Sequence, residues 1–552
     1  MLNTWLVVLP PLIVIVLATI TRRVMFSLLL GIVSAALIVK DFQVYPAFSL
    51  ILERIWRTTE LYKFTSWELF WTGDRIFLCF FLIFLGIIIT MIRYSGAAYA
   101  YSNYVINKIK NARGAESASL FLSMLFFIDD YFSCVTVGSV MQAVTDQFRV
   151  PRVKLAYLVN TAAAPLVVMI PLSSWAAWII VQLRSSGVSL TATSPKTVLL
   201  AEPFYYYLSS IPFFFYAIIA FVALWYVVIS RTSYGIIRRH EVYARKTGEL
   251  FGGKMPIAWR SSDVSLERQQ KSSIIDFIFP VLMLFVLIVG WVLFSGGWLW
   301  QGRGFLDALQ HSDMSPGFFF GGLGACILSF IFFLSRGTLS LKDIRPVITE
   351  GAWLLGSSIT MLILIWTLSK MLRDDLQTGN YLAQYLVGHL HIALFPVIFF
   401  VMAALISSLM GTAWGTMGIL IPTALQMLAA FVSGGHGPVT LDAAPMFFPL
   451  LGAVVTGSIV GNHLSPIADV IVISATSVGA YHLDLVRAQM AMVAPLVIAS
   501  IASFTCAGLM IYNNCAILAA ALGSLGVGIG LMIVQYQVLS FINTVQEKTK
   551  RS

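Results

Sequence analysis

Apolar runs of about 17 to 25 residues recur from one end of this chain to the other, each long enough to cross a roughly 30 Å hydrocarbon core as a helix. An aqueous globular enzyme does not fit a sequence that is 59% hydrophobic and 11% charged, with a mean hydropathy of +0.86. The expected fold class is an all-α polytopic membrane protein. Residues 1–20, MLNTWLVVLPPLIVIVLATI, lack a basic leader and are followed by TRR, the reverse of a secretory signal, so they read as a first span.

Composition excludes several other classes. The net charge of +10 comes from basic residues in the connections between apolar runs, where they act as topology signals, so no nucleic acid partner is expected. Five cysteines without a CxxC indicate neither a disulfide framework nor a zinc site, and no resident cofactor is expected. There is no Walker A sequence and no GxGxxG after a strand, which leaves secondary or channel-like transport.

The connection 231–271 carries nine Lys or Arg against four acids and is assigned to the cytoplasmic side. Parity then puts RR at 22–23, NKIKNARG from Asn107, RGTLSLKDIRP from Arg336 and the C-terminal QEKTKRS inside. The connections 41–75, 299–316, 371–391 and 433–444 fall outside. Residues 118–146 form an apolar block with basic residues at both ends, too short for two crossings of about 20 residues each. A re-entrant hairpin is expected there, its tip near DDYFSC, since non-helical backbone at that depth must be enclosed by protein or line a cavity.

The next segment, 153–184, contains Pro165 and Pro171, and proline removes a helix hydrogen bond and disfavours helix just before it, so a broken helix is expected. The second half repeats this layout from the other side. Residues 392–432, with GTAWGTMGILIP from Gly411, make either a second hairpin or two full spans, and 445–479 carries a mid-span proline, Pro466, three residues before Asp469. Hairpin plus broken helix, inverted between the halves, is the layout of an inverted-topology secondary transporter. The expected organisation is N-terminal spans and an external connection (1–75), a first transport repeat (76–230), a cytoplasmic loop (231–275), connecting spans (276–345), a second inverted repeat (346–511), and a last span with a basic tail (512–552).

Asp129, Asp130 and Asp469 are the acids placed deep in apolar segments, with His463 as the basic group beside them. A carboxylate at the bilayer centre costs about 2.5 to 3.5 kcal/mol, which points to a functional use. The alternative for Asp129 and Asp130 is a cap on a half-helix N-terminus. Ser133, Ser174, Thr412, Thr416, Asn462, His463 and Ser465 are candidates for the lining of the same site. The glycine pairs of GTAWG and GSIVG favour close helix packing. Trp175, Trp178 and Trp414 either stack on a substrate or pack.

With FFIDDY, VTDQFRVPRVKLAYLVNTAAAPL, GTAWGTMGILIP, GNHLSPIADVIVISA and YHLDLVRAQM in this order, residues 76–505 resemble the NhaC-type sodium/proton antiporter family. The resemblance implies an exchanger in the bacterial cytoplasmic membrane that uses the proton gradient to expel Na+, with related members exchanging organic acids or amino acids. Na+ would then bind at Asp129, Asp130 and Asp469, and a homodimer is expected by analogy. Where the family pattern often carries Asn and Thr after the paired acids, this chain has Ser133 and Cys134. GNHLSPIADVI stands where GDHxSPISDTT is usual, so the carboxylates Asp129, Asp130 and Asp469 persist while several oxygen ligands are replaced.

The leading expectation is therefore a proton/cation antiporter in a lipid bilayer. The alternative is a proton- or sodium-coupled exchanger of an organic acid or amino acid. An intramembrane hydrolase is disfavoured because adjacent acids point in different directions on a helix. A passive channel is disfavoured by mid-depth carboxylates in inverted halves.

Overall fold

The computed structural model describes residues 5–549, apart from 22, 67–72, 172, 192–196, 256–270, 299, 305–307, 309–311, 313, 379–380, 382–390 and 435–436. Parts of the expected connections at 41–75, 231–271, 299–316, 371–391 and 433–444 lie outside the described residues. Helices α1 (Leu9–Thr21), α2 (Val24–Val39) and α3 (Val44–Thr59) come first. The first half then runs through α4 (Asp74–Ser95), α5 (Ala97–Ile106), α6 (Ala112–Leu125), α7 (Asp130–Gln147), α8 (Arg152–Met169), α9 (Ser174–Ser185), α10 (Pro203–Ser210), α11 (Phe215–Ser230) and α12 (Gly235–Thr247). Helices α13 (Ile274–Ser295) and α14 (Met314–Ser335) connect it to α15 (Ile344–Leu354), α16 (Gly356–Lys370), α17 (Phe395–Met410), α18 (Ala413–Ser433), α19 (Phe447–Leu464) and α20 (Asp469–Val478). Two long helices, α21 (His482–Tyr512) and α22 (Ile517–Thr549), end the chain. Eleven helical segments among the described residues are long and apolar enough to cross a membrane. The protein is a multi-pass, all-α membrane protein.

The expected interruptions are present, each with a local cause. Helices α8 and α9 separate around Pro171, and α19 and α20 around Pro466, while Pro165 is accommodated inside α8. The 118–146 block is two helices, α6 and α7, separated by residues 126–129, so its first arm begins earlier than its apolar run suggests. Asn111 sets that start by accepting the Gly114 amide at 2.8 Å. Side-chain caps also start α7 (Asp129), α9 (Ser173) and α18 (Thr412). Residues 392–432 form α17 and α18 about a left-handed Gly411 (φ +73°), and a Cβ there would lie 2.8 Å from Ile467 Cγ1, so glycine answers both the turn and the close approach. Counting the 3₁₀ turn at Ile392–Leu394 that leads into α17, both helices are long enough to cross.

The expected first span is shorter than its apolar run. Helix α1 has 13 residues after a 3₁₀ turn at Trp5–Val8, because Pro10 and Pro11 are accommodated in its first turn, where amides lack intrahelical partners in any case.

Polar contacts sort the chain into two faces. On one, Asp74 pairs with Arg184 at 2.9 Å, Arg54 with Asp375 at 2.5 Å, and Tyr206 donates to the Phe447 carbonyl at 2.7 Å. The same face carries a parallel sheet of two-residue strands, β1 (Val188–Ser189), β2 (Leu199–Leu200) and β3 (Val439–Thr440), joining the exits of α9 and α18. On the other, Arg336 pairs with Asp276 at 2.6 Å, Arg93 with Glu350 at 2.5 Å and Lys254 with Asp484 at 2.7 Å, and the Arg152 guanidinium donates to the Val478 carbonyl. These pairs join segments that loop charge assigns to the same side, the second set cytoplasmic.

The two halves pack crosswise. Helix α7 lies on α20, where Ser477 Oγ donates to the Cys134 carbonyl at 2.8 Å. Helix α9 lies on α18, where Gln182 Nε2 donates to the Gly418 carbonyl at 3.2 Å. Glycines allow the closest approaches. A Cβ on Gly86 would lie 2.2 Å from the Gly351 carbonyl oxygen, and one on Gly138 would lie 2.1 Å from Ser477 Oγ. Gly457 and Gly461 bring α19 against Phe400 and Ser407 of α17, the close packing their spacing suggested. Gly86→Ala and Gly138→Ala are each expected to cost about 1 to 3 kcal/mol through overpacking. Thermal unfolding in detergent checks this, with Gly290→Ala, which meets nothing within 4 Å, expected to keep or raise the midpoint.

A candidate ion site at the helix breaks

Asp129 and Asp130 sit at the start of α7 and are 2% and 0% exposed, which makes them the most enclosed adjacent acids among the described residues. Asp129 is the α7 cap: Oδ1 accepts the Phe132 amide at 3.0 Å. Its Oδ2 accepts the Ser174 hydroxyl at 2.9 Å, while the Ser174 amide donates to the Ile128 carbonyl at 2.8 Å. The hairpin tip is thus stitched to the first turn of α9. Asp130 is the first residue of the helix proper; Oδ1 accepts Trp175 Nε1 at 3.0 Å and Oδ2 has no hydrogen-bond partner. The capping alternative is realised at Asp129, and Asp130 is left with an unused oxygen.

The second half builds a related corner with fewer charges. Thr412 caps α18 by accepting the Gly415 amide at 3.5 Å, and Asn462 Oδ1 accepts the Ala413 amide at 3.2 Å. Thr416 Oγ1 is occupied by the Thr412 carbonyl at 3.0 Å. Ser133 and Ser465 are buried with hydroxyls that have no partner. His463 is also buried, but its Nδ1 is 2.5 Å from Tyr216 Oη, a partner the sequence reading did not include, and its Nε2 is unpartnered.

Asp469 differs from the other two acids in how far the protein encloses it. It opens α20, after a break in which Pro466 is exposed as well, and its own side chain is exposed. It reaches the first half through Tyr131, whose hydroxyl donates to Asp469 Oδ2 at 3.4 Å. Tyr131 was missed as a site residue although it lies within the quoted FFIDDY. Its position directly after two acids, on a helix start, was the available signal. Among the described residues no group of three or more His, Cys, Asp or Glu is arranged to hold a metal ion, so the three aspartates are not gathered around one point. A narrow crevice beside Asp129 is lined by Tyr131, Trp414 and the apolar side chains of Leu82, Leu355, Met361 and Leu362. Trp414 packs on Trp175 and Trp178, with ring centroids 4.9 and 5.2 Å apart.

Interrupted helices that meet around enclosed carboxylates, within a bundle of spanning helices, define a membrane transporter rather than an enzyme. The Na+/H+ antiporter family profile matches residues 201–509, more than half of the chain, and the protein belongs to that family. An uncharacterized protein of Haemophilus influenzae is 29% identical over 519 residues, covering 92% of each chain. Among solved structures, the Alcanivorax borkumensis YdaH transporter shares the fold with a TM-score of 0.51 and 12% identity, over 86% of this chain and 90% of that one. Neisseria gonorrhoeae MtrF, described among antimetabolite efflux pumps, gives a TM-score of 0.47 and 14% identity over 82% and 83%.

Ser174→Ala removes the side-chain donor to the enclosed Asp129 carboxylate and leaves it the Phe132 amide. We expect a loss of about 1 to 3 kcal/mol, the range for leaving a buried polar group short of a partner, read as a lowered unfolding midpoint in detergent. Ser174→Thr, which keeps the hydroxyl, is expected to recover most of it.

Proposed function

We propose that the protein is a secondary active antiporter that exchanges protons for a small cation, Na+, by alternating access, with Asp129, Asp130 and Asp469 as the carrier carboxylates. The observation that carries this reading is the free Oδ2 of the fully enclosed Asp130. A buried carboxylate oxygen without a partner is costly, and either a proton or a desolvated cation relieves that cost. Because the two compete for one group, binding of one drives release of the other, which is the minimum requirement for exchange. The buried, unpaired hydroxyls of Ser133, one turn along α7 from Asp130, and of Ser465, at the second helix break, are further neutral oxygens in this reading, and Ser174, Thr412, Thr416, Asn462 and His463 shape the helix ends.

In this reading α6–α7 and α17–α18 are re-entrant hairpins, α8–α9 and α19–α20 are broken spans, and residues 76–230 and 346–511 are inverted repeats. The cytoplasmic loop 231–275 and the connecting spans 276–345 separate them, with 1–75 and 512–552 at the periphery. The protein acts in the bacterial cytoplasmic membrane, as a homodimer and without a resident cofactor.

A second reading, exchange of an organic acid or amino acid coupled to protons or Na+, is favoured by the crevice itself. Apart from Asp129 and Tyr131, its walls are apolar side chains and indole surface rather than a cage of oxygens.

Everted vesicles lacking the host's own antiporters distinguish the two. Added sodium or lithium is expected to dissipate the pH gradient with wild type and not with Asp129→Asn, Asp130→Asn or Asp469→Asn, all inserted at wild-type levels. If no alkali cation does so while a labelled carboxylate or amino acid is exchanged, the second reading replaces the first.

A further inference from the structure

The face that holds residues 146–154 and 231–254 contains a cavity of about 230 Å³ that the ion site does not use. Three guanidinium groups line it: Arg149 at the end of α7, Arg231 at the end of α11, and Arg245 on α12. Two helices, α6 and α8, of 14 and 18 residues, also begin at its wall, through Ala112 and Pro151. The positive end of each helix dipole therefore lies against the same space as the arginines, although the Gly114, Arg152 and Lys154 amides already have partners.

Beneath the arginines lies a buried triad. Lys154 Nζ bonds Glu116 Oε1 and Glu241 Oε1, both at 2.7 Å, with side-chain exposures of 1%, 2% and 7%. Ser233 Oγ donates to Glu241 Oε2 at 2.6 Å, and Arg245 approaches the same oxygen at 4.0 Å. Glu116 Oε2 is the exception, a buried atom with no partner, on a residue that lines the cavity. With Lys154 included, four cations surround two acids, so the pocket is basic overall, and Glu116 Oε2, closed off just behind its lining, is an acceptor that still needs a donor.

From this arrangement we infer a binding pocket for a hydroxyl-bearing phosphate group, in which the anionic oxygens meet Arg149, Arg231 and Arg245 and the hydroxyl donates to Glu116 Oε2. Inorganic hydrogen phosphate and the headgroup of phosphatidylglycerol both present that chemistry. Sulfate, of similar shape but without a proton at neutral pH, would set one acceptor against another. The volume is below the roughly 300 Å³ of a typical small-molecule site, which suits a single small polar group. The pocket joins the start of the α6–α7 hairpin, the start of α8 and the first helix of the inter-repeat connection, so its occupant would tie these three elements together.

The test uses the full-length protein and needs no transport assay. In detergent free of phospholipid, calorimetric titration with inorganic phosphate is expected to show saturable binding, and sulfate about tenfold weaker or more. Arg245→Gln and Arg231→Gln are expected to weaken phosphate by a similar factor, and Glu116→Gln, whose amide can donate, to remove the preference over sulfate. Arg245→Gln leaves the buried triad in place, so its effect does not depend on whether Glu116→Gln folds. Native mass spectrometry from nanodiscs containing phosphatidylglycerol or phosphatidylcholine separates the sources: retained phosphatidylglycerol that free phosphate displaces marks a lipid site, and phosphate binding without such retention marks a soluble ligand. The inference is overturned if folded wild type binds neither probe, if it binds sulfate as well as phosphate, or if the arginine variants bind phosphate unchanged.

Discussion

A helix that stops inside a bilayer leaves amides and carbonyls with no water to turn to, at several kcal/mol for each unsatisfied group. The centre of this protein is organised around that liability. Side chains close three of the interrupted starts, at Asp129, Ser173 and Thr412, and each interruption also leans on another: the Ser174 amide on the Ile128 carbonyl, the Ala413 amide on Asn462. The solution to a backbone problem thereby brings polar side chains into the enclosed interior of the bundle. Asp129 is both a cap and a wall of the crevice, so capping the helix does not withdraw its carboxylate from that space.

Charge is concentrated elsewhere, at the two faces. The ion pairs from Arg54 to Asp375 and from Asp74 to Arg184 on one side, and from Arg336 to Asp276 and Lys254 to Asp484 on the other, join elements far apart in sequence. These pairs are half-buried rather than free at the surface, and in two of them the acid, Asp276 or Asp484, is itself buried. The Lys154 triad differs because it is enclosed, and breaking such a set by removing one partner typically costs about 3 to 5 kcal/mol.

The spans, the two proline breaks and the FFIDDY corner were legible because each rests on local properties: run length, the missing proline amide, acids in an apolar context. Basic residues in the connections are equally local signals, although Lys154, one of those following the 118–146 block, is buried between two glutamates. What could not be read are the pairings. Tyr131 and Asp469 are 338 residues apart, and Tyr216 and His463 are 247 apart, so no periodicity connects them. The accessibility of Asp469 and the early start of the hairpin at Asn111 likewise depend on what packs nearby and on one cap. Length alone also leaves 392–432 open, since both of its helices suffice to cross.

Crosswise packing has a mechanical consequence. The sheet of β1, β2 and β3 fastens the exits of α9 and α18 at one face, and Arg152 fastens the start of α8 to the end of α20 at the other. A core laced at top and bottom resists splitting along its midline, so the seam between the halves is a poor place for a gate. Any opening that reaches Asp129 would more easily form where that core slides against Leu82, Leu355 and Leu362, whose aliphatic surfaces offer no directional bonds to break and act as a bearing, with Met361 held only by a long contact from the Thr412 hydroxyl.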